Sequence, residues 1–460
     1  MNKRLLLINP VNPNRAGLTV NHTGIFPPLG LGIVAALTPG DWEIEILDEN
    51  FDRFRYREAD LVGFSSFTAQ ITRAYEIAGI FRERHIPTVI GGIHASMMPE
   101  EALQYVDSVV IGEAESTWPR FIRDFEKGQQ KPVYREDKTA LTKISRARHD
   151  LFHPDYAFDS IQTARGCPMD CNFCSVTTFN GRNYRQRDIE DVLDELESIQ
   201  KGLVYFVDDN LYGYGAGAAE RATALFEGIT RRGIKKQWLS QASVNFADFD
   251  EVLEGAARSG CKMVLLGIEA ESDSALEDAG KKLNRKFLDR YADVFRRINS
   301  HGIAVLGSFI YGMERDIPDS LRQRSRFIRD SDVDAVQITL MTPLPGTRLF
   351  QRLEDEGRLL YTNYPGDWSR YDMTEVVFKP LLMTPEELFK GFCDAGMMLY
   401  NHAALWDKYL RTLSNTGNLT TAWWAYSANL NYHNAGVSLY TQRTWPLLWK
   451  LGKFVKEVMP

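Results

Sequence analysis

Ala164-Arg165-Gly166-Cys167-Pro168-Met169-Asp170-Cys171-Asn172-Phe173-Cys174 sets three thiols within eight positions, directly after the apolar run Ile161–Ala164. Three thiolates on one short loop are soft ligands within reach of a single metal centre. Four cysteines usually hold a [4Fe–4S] cube. Three leave one iron with an open position, which a cluster needs if it is to bind a reactant as well as carry electrons. A structural zinc is the competing reading, but such a site wants four closed ligands. No fourth Cys or His follows nearby, and His149 and His153 stand on the far side of the expected strand.

Downstream of the loop the chain alternates short apolar runs with amphipathic ones. Ile161–Ala164, Val204–Val207, Leu239–Ala242, Met263–Gly267, Ala304–Ile310 and Ala335–Leu340 read as strands, and the segments between them carry helical spacing. Parallel strands with intervening helices imply a partial or full β/α barrel. The strand ends carry Asp208-Asp209, Gln241 with Ser243, Glu269, and finally Pro343-Leu344-Pro345-Gly346-Thr347. Singly, each of these is an ordinary capped strand end or a solvated turn.

The order of these motifs resembles the radical S-adenosylmethionine superfamily, whose signature is Cys-x3-Cys-x2-Cys with an aromatic residue before the last Cys; Phe173 fills that place. The resemblance extends about 190 residues beyond the triplet. It implies a [4Fe–4S] cluster on Cys167, Cys171 and Cys174, with S-adenosylmethionine chelating the open iron. It also implies reductive cleavage to a 5′-deoxyadenosyl radical, with an external donor of flavodoxin or ferredoxin type. By the same resemblance Asp208 and Asp209 stand near the methionine amino group, Glu269 near the ribose hydroxyls and Pro345 near the adenine, with Gln241 and Ser243 completing the cosubstrate site.

Upstream, Arg4–Asn9, Glu43–Leu47, Leu61–Ser65, Thr88–Gly91 and Ser108–Ile111 read as buried strands separated by segments such as Ala69–Arg84 and Pro99–Tyr105 with helical spacing. This α/β pattern specifies a doubly wound parallel sheet, in which ligands bind beyond the strand C-termini. Those ends hold Ser65, Ser66, Thr68, Gly91, Gly92, His94, Gly112 and Glu113. Such a domain ahead of a radical S-adenosylmethionine core resembles the cobalamin-binding subclass, which includes hopanoid and bacteriochlorophyll C-methylases. Ile25-Phe26-Pro27-Pro28-Leu29-Gly30-Leu31 and Gly112-Glu113-Ala114-Glu115 are typical of it. The resemblance implies that these strand-end residues receive cobalamin. Asp-x-His-x-x-Gly, whose His would ligate cobalt, is absent, so a corrin here should lack a His ligand from that motif.

The expected organisation is a cobalamin-binding-like domain over 1–135, a linker over 136–159, the radical core over 160–364 and a mainly helical extension over 365–460. Thr384-Pro385-Glu386-Glu387 opens the extension with an N-cap, a proline at the first helical position and a capping box. Near the end, Lys450, Lys453 and Lys456 fall at helical spacing beside Trp and Leu. That pattern suits packing on the barrel or lying peripherally on an anionic membrane. The resemblance implies C-methylation of a small-molecule or lipid-like substrate. The alternatives are cobalamin-free coupling, ring formation or rearrangement, and a non-enzymatic iron–sulfur sensor. Cys393, Tyr212, Tyr214 and Tyr311 are candidate hydrogen donors, and Cys261 reads as a core thiol.

With 460 residues and 44% hydrophobic content the chain can build two or three cores. A formal charge of −7 gives no general pull toward nucleic acid. No apolar run approaches the ~18 residues needed to span a bilayer. The five cysteines suit neither a disulfide framework nor export, so a cytoplasmic protein is expected.

Overall fold

The computed structural model describes residues 3–12, 26–135, 144–213 and 217–444. Ile25, Tyr214 and the lysine-bearing stretch 445–456 lie outside these residues. The N-terminal sheet has six parallel strands: β1 (Arg4–Asn9), β2 (Glu43–Asp48), β3 (Leu61–Ser65), β4 (Thr88–Gly91), β5 (Ser108–Ile111) and β6 (Val133–Arg135), ordered β2-β1-β3-β4-β5-β6. Five of these coincide with the expected runs. β6 was not expected, because its three residues alternate exposed, buried, exposed and only Tyr134 enters the core.

Alternation along β1 shows why the sheet is covered on both sides. Leu6 and Ile8 join Val62, Phe64, Ile71, Ile77 and Phe81 in one core, while Leu5 and Leu7 join Leu31, Trp118 and Phe121 in another. Successive strand residues point to opposite faces. An unbroken apolar strand therefore needs a helix layer on each side.

After this domain come β7 (Asp159–Ile161), the short antiparallel pair β8 (Ala164–Arg165) and β9 (Arg185–Gln186), then β10 (Leu203–Phe206), β11 (Gln237–Ala242), β12 (Cys261–Glu269), β13 (Ala304–Tyr311) and β14 (Ala335–Leu340). Six of them form an open parallel sheet in the order β7-β10-β11-β12-β13-β14. The expected strand Ile161–Ala164 is in fact split. Its first half belongs to this sheet, and its second half pairs with β9 beside the cysteine loop.

The outer face of this sheet is packed by helices around Val204, Phe206, Trp238, Val264 and Leu266. The inner face carries Leu239, Met263, Ala304, Leu306 and Ala335, and the last described helix, Leu419–Thr444, lies against them through Ala425 and Trp424. Polar contacts fix its position. Asn429 accepts from the Val336 amide at 3.0 Å and donates to the Asp334 carbonyl at 2.9 Å, while the Trp424 indole donates to Gln237 at 3.0 Å. All three contacts fall at the N-terminal ends of their strands. The helix thus closes that side of the sheet and leaves the C-terminal ends for a site.

The helix Pro385–Leu399 begins as expected, with the Thr384 hydroxyl accepting from Glu387 N and the Glu387 carboxylate accepting from Thr384 N. Residues 144–159 of the expected linker pack against both domains. Ala147 and Phe152 pack over Gly32 and Ile33, where a Cβ at position 32 would strike the Phe152 ring. The imidazole of His149 bridges Asp159 (2.8 Å) and Glu195 (3.1 Å). No composition signal marks such a segment, because its order comes from tertiary contacts.

Candidate functional site

The cysteine loop is held from several sides. Gly166 has φ +93°, and a Cβ there would run into the Asn183 carbonyl, so only glycine can enter the loop this way. Its amide donates to Asp209 at 2.8 Å, and the Cys167 amide donates to the Gly181 carbonyl at 3.1 Å. Asn172 donates to the Asp278 carbonyl at 2.5 Å. Arg348 donates to the Asp170 carbonyl at 2.8 Å, and a Cβ on Gly280 would stand 2.6 Å from that same oxygen. The strand ends after β12 and β14 therefore clamp the loop that carries the thiols.

Burial pushes all three cysteines above the usual thiol value, Cys174 to about 12, helped at Cys167 and Cys174 by neighbouring thiols and at Cys171 by Glu269 and Asp170. Left alone they stay neutral, and a cationic iron centre is what would draw them into the thiolate form. Among the described residues no three His, Cys, Asp or Glu side chains converge on a single-ion site. Thiolates that each bind a different corner of a cube need not converge so closely. The donor set fits a cluster better than a lone zinc.

Beside Cys171 opens a cavity of about 210 Å³ lined by Pro168, Met169, Ser243, Gly267, Lys281 and Asn284, among others. Glu269, the partner of the cavity-lining Lys281, has φ +64°, where β12 loses register with β13. A non-glycine residue in this region is strained, a condition that clusters at functional sites. The Lys281 ammonium reaches Glu269 at 2.7 Å and the Gly267 carbonyl at 3.2 Å. Burial pulls this lysine down, but Glu269 and Cys171 outweigh it and hold the group cationic. Sequence alone does not mark Lys281. In Gly280-Lys281-Lys282 it reads as a solvated turn, and only the fold brings it back over the cysteine loop.

The expected cosubstrate residues divide. Ser243 lines the cavity, and Glu269 is tied to it through its ion pair with Lys281. Asp208 does not line it: it is fully buried and accepts from Thr163 N (2.6 Å), Thr163 Oγ1 (2.5 Å) and Ala164 N (3.1 Å). Burial pushes it up to about 6 against those three donors. Asp209 is likewise raised by burial and is committed to Gly166 and Asn180. Both aspartates brace the loop. Gln241 spends its amide on the Tyr205 hydroxyl at 2.9 Å, and Pro345 is buried within its own loop.

The N-terminal strand ends abut this site. Gly346, after β14, leaves room for Met97, and the helices Ile93–Met97 and Ser175–Phe179 touch. Glu113 and Glu115, just beyond β5, pair with Arg165 and Arg185 on β8 and β9. Thus the C-terminal edges of both sheets meet around the cysteines. On the rim, Ser65, Gly91, Gly92 and Gly112 offer backbone and small groups. Gly92 (φ +91°) lies against Ser65 and Ser66 so closely that a Cβ would crowd both. Ser66 hydrogen-bonds the Phe67 carbonyl, while the Phe67 ring is 62% exposed at the end of β3.

Three residues expected to receive cobalamin, His94, Thr68 and Glu113, are turned elsewhere. The His94 side chain is completely buried, one ring nitrogen 3.2 Å from the Thr68 hydroxyl and the other 3.3 Å from Glu101. It closes a polar core with Trp368, whose indole donates to Glu101 at 2.8 Å. This contact also occupies Thr68. The Glu113 carboxylate is taken by the two arginines. Among the candidate hydrogen donors, Tyr311 is buried against Ser325 and Tyr212 against Phe246. Cys393 lies on the helix Pro385–Leu399, which packs on the outer helix Pro318–Asp330. Cys261 is a buried core thiol.

A doubly wound sheet whose strand ends face a three-cysteine loop at the mouth of an open β/α sheet defines a two-cofactor radical enzyme. Comparison with known proteins agrees. The B12 binding domain family matches residues 16–122, the Radical SAM superfamily 161–328, and a domain of unknown function (DUF4070) 347–451. Bacteriochlorophyllide d C-12(1)-methyltransferase of Chlorobaculum tepidum is 28% identical over 425 residues, covering 88% of each chain. Hopanoid C-2 methylase of Rhodopseudomonas palustris is 30% identical over 350 residues, 73% of this chain and 66% of the relative. The methyltransferase TsrM of Kitasatospora setae, solved with cobalamin and a [4Fe–4S] cluster, shares the fold at TM-score 0.66 and 17% identity, over 96% of this chain and 100% of that one. OxsB, solved with aqua-cobalamin and S-adenosylmethionine, does so at TM-score 0.67 and 14% identity, over 99% and 75%. The chain belongs to the cobalamin-binding subclass of the radical S-adenosylmethionine superfamily. It is an enzyme whose cofactors are a [4Fe–4S] cluster, S-adenosylmethionine and cobalamin.

Proposed function

We propose that this enzyme methylates an unactivated carbon of a hydrophobic small molecule of tetrapyrrole or polycyclic lipid type. The observation that carries the reading is the meeting of both sheets' C-terminal edges around Cys167, Cys171 and Cys174, which would put corrin and cluster against one substrate. The named relatives that methylate bacteriochlorophyllide and a hopanoid support the substrate class. Once bound, the cluster and S-adenosylmethionine supply a hydrogen-abstracting radical and cobalamin supplies the methyl group.

The chain's own residues do the positioning. Cys167, Cys171 and Cys174 would hold the cluster. Lys281 receives the cosubstrate carboxylate, since it is the buried cation at the cavity beside Cys171. Glu269 accepts from hydroxyl donors, the role open to a carboxylate. Asp209, by fixing the Gly166 amide, keeps the loop in the conformation that aims the thiols. On the corrin side Ser65, Gly91, Gly92 and Gly112 allow close approach of a large flat ring, and Phe67 gives it an apolar contact.

An external flavodoxin- or ferredoxin-type donor supplies electrons. No described helix is long and apolar enough to cross a membrane. Peripheral membrane contact is supported by the exposed Trp406, Leu410, Leu419 and Trp423 on the last two helices. The test is anaerobic purification followed by iron, sulfide and corrin analysis, then incubation with methyl-labelled S-adenosylmethionine and a panel of tetrapyrroles and hopanoids. Label on carbon is the expected result. Consumption of cosubstrate with unlabelled, coupled or rearranged product would replace methylation by the cobalamin-free reading.

A further inference from the structure

We infer that Arg165 and Arg185 are positioning residues: with Glu113 and Glu115 they lock the rim of the corrin domain onto the cysteine loop and so fix the separation of the two cofactors. The inference rests on the two-cofactor reading above and adds what sets their distance.

Arg165 donates to Glu115 at 2.5 Å and lies 3.5 Å from Glu113, and Arg185 donates to Glu113 at 2.9 Å through one nitrogen and again through the other. Three of the side chains are buried, at 8% (Arg165), 4% (Glu113) and 7% (Glu115) exposure, and Arg185 is largely covered at 16%. A buried ion network adds little net stability, because desolvation offsets the attraction. An interface that needed only adhesion would do as well with apolar side chains. What paired guanidinium forks supply is direction and register.

The network is short at both ends. On one side Glu113 and Glu115 follow β5 at once, across the turn at Gly112 (φ +81°). On the other, Arg165 stands two positions before Cys167 and pairs in register with Arg185 across β8 and β9. Arg185 also donates to the Asn180 carbonyl at 3.1 Å, and the Asn180 amide donates to Asp209 at 2.9 Å, the residue that holds Gly166. A rigid path therefore runs from the corrin-domain rim to the first cysteine with no flexible segment in it. Misplacement of reacting groups by about 1 Å can cost on the order of a hundredfold in rate.

The test uses the full chain reconstituted with cluster and hydroxocobalamin. Glu115→Gln lies in the N-terminal domain and leaves the loop sequence untouched; Arg185→Met probes the other side. Both should keep wild-type iron, sulfide and corrin content. Amide exchange across 112–117 and 164–167 should rise by about tenfold or more, as expected where a local closing interaction is lost. The magnetic interaction between Co(II) and the reduced cluster, read by electron paramagnetic resonance, should weaken, and Glu115→Asp should restore it. Wild-type exchange and coupling in both variants would overturn the inference, as would loss of the cluster in Glu115→Gln, which would tie that carboxylate to the cluster itself. A wild-type chain that keeps no corrin would defeat the two-cofactor reading instead, and amide exchange would still decide whether the network locks the domains.

Discussion

Replacing Lys281 by Met removes the buried cation beside the cysteine loop while keeping most of its volume. In the structure the ammonium pairs with Glu269 at 2.7 Å and lines the cavity next to Cys171. A hydrogen bond to a charged group contributes about 1.5–3 kcal/mol. At about 1.4 kcal/mol per factor of ten, losing one to the cosubstrate carboxylate weakens binding by roughly 10- to 150-fold. The lower end is expected, because in the wild type Lys281 must share its charge between Glu269 and the incoming carboxylate. Equilibrium titration of S-adenosylmethionine into anaerobically reconstituted protein measures the loss, with iron content as the control. Lys282→Met, at an exposed position on the same cavity, should change affinity by less than about fivefold, the range of a solvent-screened charge. Unchanged affinity in Lys281→Met would refute the assignment. Loss of iron would show that the lysine supports the thiolates and not the cosubstrate.

Cys167→Ala, Cys171→Ala and Cys174→Ala should each abolish cluster assembly and deoxyadenosine production, whereas Cys261→Ala and Cys393→Ala keep both; iron analysis and product chromatography decide. Gly166→Ala forces a left-handed backbone on alanine, costing about 1–2 kcal/mol before its clash with the Asn183 carbonyl, and should lower cluster retention on gel filtration. Burial lowers the pKa of His149, but Asp159 and Glu195 outweigh it and raise the group from 6.5 to about 9. Its contribution to stability is therefore full below about pH 6.5 and lost as pH rises through about 9. Denaturant midpoints of wild type and His149→Gln should differ at pH 6 and converge above pH 9; a constant gap across that range would contradict the ion-bridge role. Labelling the protein's histidines with nitrogen-15 should leave the Co(II) resonance of the corrin-loaded protein unchanged, since both His94 nitrogens are engaged by Thr68 and Glu101.

The strands that decide both sheets were legible because each is a run of apolar residues between turn signals, and a buried parallel strand leaves just that trace. Ala335–Leu340 and Arg4–Asn9 run in the structure as read. The break of the first barrel strand into β7 and β8 was not legible. Ser160-Ile161-Gln162-Thr163-Ala164 keeps strand-like composition throughout, and what splits it is Asp208 drawing the Thr163 and Ala164 amides away from the ladder. The cysteine loop could be read because its chemistry is local. Lys281, Arg165 and Arg185 could not, because their partners lie 12, 50 and 72 residues away.

The aspartates show where motif order misleads. Acidic residues at a strand end after the triplet were expected to meet the cosubstrate, and position alone cannot separate that role from the one the structure gives them. A carboxylate facing a ligand must keep acceptor capacity free; Asp208 spends both oxygens on three donors, while Asp209 holds the loop through two donors on Oδ2. The loop needs them there. A segment that turns through glycine and presents thiols inward leaves backbone amides that cannot pair within a regular element, and buried amides must find acceptors. Carboxylates at the neighbouring strand end are the nearest strong acceptors. Asp209→Ala should therefore lower iron retention before it touches cosubstrate affinity, and Glu269→Ala should do the reverse, weakening S-adenosylmethionine binding with the cluster intact. Titration of the cosubstrate alongside iron analysis of both variants separates the roles. Asp209→Ala with full iron but weakened cosubstrate binding would return that aspartate to the cosubstrate site.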